Sequence, residues 1–131
     1  MIKSKDNNDM KVPEGSNLSD LIDMQINQIT SPWMLYFIRY NPAPMLAKVK
    51  CPVLAVIGSK DLQVPSQANL TAIENALIKG GNKNITVKEL PGLNHLFQES
   101  KTGSPNEYAE IEQTISPLLL ETVMKWIKGL K

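Results

Sequence analysis

From Leu18 the apolar positions Leu18, Leu21, Ile22, Ile26 and Ile29 recur at helical spacing, with Asn17 or Ser19 placed to cap the start. The next stretch, SPWMLYFIRYNP, sets Ser31 as N-cap and Pro32 at the first helical position. Pro42 disfavours helix at the residue before it, which predicts an end near Tyr40. Trp33, Met34, Phe37 and Ile38 form the apolar face of this helix and are expected to pack as core or lid. A short helical turn, PMLAKV, follows. The period then changes: Val53 to Ile57 is a continuous apolar run, as in a parallel strand buried on both faces.

After GSKDLQVP the helical period returns in SQANLTAIENALIKGG. Leu70, Ile73, Ala76 and Leu77 make its apolar face, and Gly80 and Gly81 supply the stop. NITVKEL reads as a second strand closed by Pro91 and Gly92. In SPNEYAEIEQ, Ser104 and Glu107 have capping-box spacing. A last helix is predicted from Ser116 and Pro117 to about Gly129, with Leu119, Val123, Trp126 and Ile127 inward.

Strand, crossover helix, strand and helix in that order predict an α/β fold with a right-handed βαβ unit and two parallel strands. Three or more strands are normally needed for independent stability, so the pattern reads as one end of a larger sheet. Residues 1–17 form a polar, flexible lead-in, 18–42 a helical segment, and 43–131 the α/β part.

Composition narrows the function. The chain has 131 residues, 42% of them apolar, and a net charge of +1, which gives no reason to expect nucleic acid or an anionic membrane as partner. No apolar run approaches a membrane span of about 18 residues, and the polar start lacks the apolar core of a signal peptide, so a cytoplasmic location is the default. One cysteine excludes an intramolecular disulfide framework, and one histidine makes a zinc site improbable; neither metal nor cofactor is expected.

In open α/β sheets ligands bind beyond the carboxyl ends of the strands. Asp61 follows the first strand and His95 the second, 34 positions later, the distance one helix, one strand and their loops consume. Parallel strands lie about 4.8 Å apart, so two loops leaving one edge can bring the pair into contact. A carboxylate on one imidazole nitrogen fixes the tautomer and frees the other to take a proton from a hydroxyl. The bland alternative is an Asp that serves its own turn and a His that is merely exposed.

LAKVKCPVLAVIGSKDLQVP together with VKELPGLNHLF resembles the C-terminal end of an α/β-hydrolase. In that family a P-V-L-x-x-x-G-x-x-D strand delivers the triad acid and a G-x-x-H loop the triad histidine; here Gly58 and Asp61 match the first, Gly92 and His95 the second. The resemblance covers about residues 43–131. The segment TSPWMLYFIRYNPAP further resembles the cap of bacterial esterases and peptidases. The resemblance implies a partial α/β-hydrolase fold, its last two strands preceded by cap-type helices. It also implies hydrolysis of an ester, amide or peptide bond, with Asp61 and His95 as catalytic residues.

The family's nucleophile elbow, G-x-S-x-G, is absent: no glycine has a serine two positions later. Ser59 lies near Asp61 but lacks the elbow. Cys51 enters the first strand about 20 Å from the site and is expected to be a small buried residue. Tyr36 and Tyr40 are expected to pack, and Lys60 to be solvated. The chain alone is therefore expected to be inactive. The competing reading is a non-catalytic α/β interaction module that self-associates through an exposed sheet, and a homo-oligomer through that sheet or the apolar helix face is expected in either case. A small Rossmann-like binder fits poorly, since GSKDLQVPS has no G-x-G-x-x-G cradle.

Overall fold

The computed structural model describes residues 17–130, so the expected lead-in lies outside them except for Asn17. The chain divides between Tyr40 and Asn41 into two units. The first holds two helices. Helix α1 spans Leu18–Ile29 and is capped by Asn17, whose Oδ1 accepts the Ser19 N–H at 3.1 Å. Helix α2 spans Pro32–Arg39, with the Ser31 hydroxyl accepting the Met34 N–H. Neither helix contains a buried residue. Trp33, Phe37 and Ile38, expected to pack, are 67%, 63% and 64% exposed. Trp33 and Phe37 stack on each other instead, one helical turn apart, with ring centroids 5.5 Å apart. Tyr36 and Tyr40 are likewise exposed and meet at 5.7 Å. Sequence periodicity places an apolar stripe; it does not supply the surface that buries it.

The second unit is a mixed α/β structure. A short helix α3 (Ala43–Leu46) leads to strand β1 (Val53–Gly58), helix α4 (Ser66–Lys79), strand β2 (Ile85–Leu90) and helix α5 (Pro117–Gly129). The strands pair in parallel, Val53 opposite Ile85 through Gly58 opposite Leu90, as a two-stranded sheet. Alternation along the strands gives each face its own partner. On one face Val56 and Leu90 pack with Leu93, Leu119, Phe97 and Val123, which places α5 there. Glu89 lies on the other face and accepts the hydroxyl of Ser66 at the start of α4. Helix α4 packs on both strands and buries Leu70, Ala76 and Leu77.

The strand expected to be buried on both faces is only half-buried from Val53 to Val56; full burial is reached at Ile57 and Gly58. A single paired neighbour leaves one edge of β1 without a strand beside it among the described residues. Ile127, expected inward, is 54% exposed, and the buried polar position on α5 is Thr122. Cys51 is exposed too, because it lies on the bend before β1 rather than in the strand. That bend is held by Asn82, 5% exposed, whose amide donates to the carbonyls of Val49 and Cys51. The capping-box stretch forms only a short 3-10 turn at Pro105–Glu107. Ser104 accepts from Asn106, but Glu107 turns away to another loop. Among the described residues no helix is long and apolar enough to cross a membrane.

Candidate active site

The site lies where both strands end. β1 does not stop pairing at Gly58: the Ser59 N–H donates to the Leu90 carbonyl at 2.8 Å and the Lys60 N–H to the Leu93 carbonyl at 2.9 Å. The loops after β1 and β2 thus leave the carboxyl edge together. Their approach requires glycine at 58, where a Cβ would sit 2.1 Å from the Leu93 oxygen. Gly92, at φ 76°, makes the left-handed turn that starts the second loop. Its N–H donates to the Ser59 hydroxyl at 2.8 Å, so that oxygen serves as a loop tie.

Asp61 and His95 meet here. The His95 Nδ1 lies 2.9 Å from the Asp61 Oδ2, with the Asp61 side chain 6% exposed and that of His95 38% exposed. The second carboxylate oxygen, Oδ1, accepts the N–H groups of Gln63 at 2.9 Å and Val64 at 2.8 Å. Asp61 therefore builds its own turn and faces the imidazole at once; the two readings of the residue are not alternatives. With Nδ1 donating to the carboxylate, the tautomer is fixed and Nε2 is the basic nitrogen. Nε2 makes no hydrogen bond to any described residue.

Burial pushes the Asp61 carboxyl upward. The Val64 amide, the His95 imidazole and the Gln63 amide outweigh that cost and hold it below its ordinary 3.8. It stays ionised and ready to stabilise an imidazolium. Beside it Lys60, expected to be solvated, is half-buried and donates from Nζ to the carbonyls of Ser100 at 2.6 Å and Lys101 at 3.0 Å. Gln63 reaches the Tyr108 hydroxyl at 2.7 Å. The acid-bearing loop is thereby strapped to residues 99–108.

Glu107 closes that strap. Its carboxylate accepts the hydroxyls of Ser100 and Thr102 and the Thr102 N–H. These bonds, the Ser100 hydroxyl first, pull its pKa from 4.5 to about 2. Both acids are thus lowered by folding, so their contributions are complete above the unfolded values and disappear as pH falls through the folded ones. Urea midpoints are expected to hold level above pH 4.5 and fall from there toward pH 2. Glu107→Gln and Asp61→Asn should each flatten part of that fall, the latter only below 3.8. A parent midpoint unchanged from pH 5 to pH 2.5 would contradict the assignment.

Nothing in the sequence marks Lys60, Asn94, Gln98 or Glu107 as parts of this edge. Their partners are 2 to 41 positions away and are mostly backbone carbonyls and amides, which every residue possesses. A cavity of about 490 Å³ lined by Pro52, Lys83, Ile85 and Trp126 lies at the opposite, amino ends of the strands. In open α/β sheets ligands bind beyond the carboxyl ends of the strands, the edge at which the Asp61–His95 pair lies. Among the described residues no group of three or more His, Cys, Asp or Glu side chains is placed to hold a metal ion. No protein family, curated protein or solved structure matches the chain.

Proposed function

We propose that this chain is the C-terminal part of an α/β-hydrolase acting on an ester, amide or peptide bond. Asp61 orients His95, and His95 acts through Nε2 as general base and then general acid. The observation that carries the reading is the 2.9 Å contact of Nδ1 with a buried, ionised carboxylate at the carboxyl edge of parallel strands. In acyl transfer Nε2 takes the proton of an attacking serine hydroxyl and later delivers it to the leaving group. The serine oxygen would bond to the substrate carbonyl carbon as the bond to the protonated alcohol or amine breaks, and water, deprotonated by His95, would then cleave the acyl-serine. The serine belongs to a strand-to-helix elbow, which this chain does not contain.

Reading the coding DNA upstream of Met1 tests this directly. An in-frame G-x-S-x-G is expected, and the polypeptide encoded by the whole reading frame should take a fluorophosphonate label at that serine. The present chain should take none. Labelling of Ser59, or of any other serine of the present chain, would overturn the reading, as would a serine-bearing polypeptide that stays unlabelled while folded.

A further inference from the structure

His95 is half-buried and stands on a loop, yet its ring is held in one place. The loop after β2 is tied to its surroundings at every level. Leu93 pairs with Glu99 in an antiparallel bridge, and the Asn94 N–H donates to the Gln98 carbonyl at 3.0 Å. Between these ties the chain reverses through Phe97 at φ 57°, a left-handed conformation that a β-carbon disfavours. Something must compensate for that turn.

Asn94 is fully buried, and all three side-chain hydrogen bonds it makes lie inside the loop. Its Oδ1 accepts the N–H of Leu96 at 3.0 Å, a bond that spans His95, and of Gln98 at 2.9 Å, so that the two amides bracket Phe97. Its Nδ2 donates to the Gln98 Oε1 at 3.0 Å, and the Gln98 Nε2 donates on to the Gln113 carbonyl at 2.9 Å. The orientation of both amides is dictated from the ends: two backbone donors require oxygen at one, and a backbone carbonyl requires nitrogen at the other. The chain of bonds runs from the His95 peptide to the segment before α5, where the Ser116 N–H also holds the Phe97 carbonyl at 2.8 Å. On the other side, the Leu93 carbonyl accepts from Lys60, next to Asp61.

We propose that Asn94 is the positioning residue of the site, its buried amide fixing the loop so that the His95 Nδ1 stays on Asp61. Its importance to catalysis rests on the hydrolase reading above; its effect on the imidazole does not. Removing the amide leaves the buried Gln98 N–H and the half-buried Leu96 N–H unpaired, and the Phe97 turn keeps only its backbone ties. The ring then leaves the carboxylate and samples both tautomers.

Ring-nitrogen NMR of the purified chain tests this without any substrate. Asn94→Ala should lose the His95 Nδ1–H resonance and give a mixed-tautomer spectrum, whereas Asp61→Asn, which sets a donor against Nδ1, should show the Nε2–H tautomer. Leu77→Ala, a core truncation in α4, should keep the parent spectrum and so separates positioning from general loss of stability. If Asn94→Ala does not fold, Asn94→Ser decides: its oxygen lies one bond nearer the backbone and the donor to Gln98 is gone, so a weakened Nδ1–H resonance is expected. A folded Asn94→Ala, or in its absence Asn94→Ser, with the parent ring spectrum overturns the proposal. Failure of the hydrolase reading would appear separately, as a missing upstream elbow, and would leave the ring result standing.

Discussion

On the proposed hydrolase function, Asp61→Asn, placed in a serine-bearing polypeptide, should lower turnover by on the order of 10⁴-fold. The substitution is informative because it spares the fold. An asparagine oxygen still accepts the Gln63 and Val64 amides, so the turn after β1 remains. What changes is the atom offered to His95. An amide nitrogen donates where the carboxylate accepted, the imidazole must carry its proton on Nε2, and the base points away from its task. The carboxylate that stabilises the imidazolium is lost as well. His95→Ala should cost at least as much, since it removes the proton carrier. Steady-state hydrolysis of an activated ester reads both effects, and the loss should fall on kcat rather than KM. A fall of less than tenfold in Asp61→Asn would mean that the pair is structural.

Gly58→Ala should destabilise the second unit by at least about 3 kcal/mol, the upper end of ordinary overpacking costs. The new Cβ would meet the Leu93 oxygen at 2.1 Å and the Asn94 oxygen at 2.8 Å. Both are backbone atoms, which cannot rotate aside as the end of a side chain does. Relief therefore requires the end of β1 to part from the histidine loop, and the Lys60–Leu93 hydrogen bond is lost with it. A urea titration gives the stability change, and the His95 Nδ1–H resonance reports whether the pair has separated. A midpoint within experimental scatter of the parent would show that the two loops are free to move apart.

Much of this site is local in origin. The acid loop follows a strand because an apolar run ends at Gly58, and the histidine loop begins because Pro91 and Gly92 stop another. Both motifs lie on elements whose period is plain in the chain, and a parallel crossover brings their ends to one edge. Caps at Asn17, Ser31 and Ser116 are equally local: a short polar side chain before an apolar period has few other uses.

The amino-acid sequence by itself thus determined the α/β order of elements, the two strands, and the candidate pair Asp61 and His95. Only the tertiary structure decided how the pair is held. Glu107 has the spacing of a helix cap, yet its carboxylate serves Ser100 and Thr102, and the Ser104 N–H it would have bonded is taken by the Thr102 hydroxyl. Lys60 looks solvated in sequence but finds two carbonyls 40 and 41 positions away. The face of Trp33 and Phe37 is patterned for burial and remains exposed. Periodicity and turn chemistry act over a few residues and are written locally. Hydrogen bonds to distant backbone, and the burial of an apolar face, depend on which surfaces meet, and no short stretch of chain encodes that.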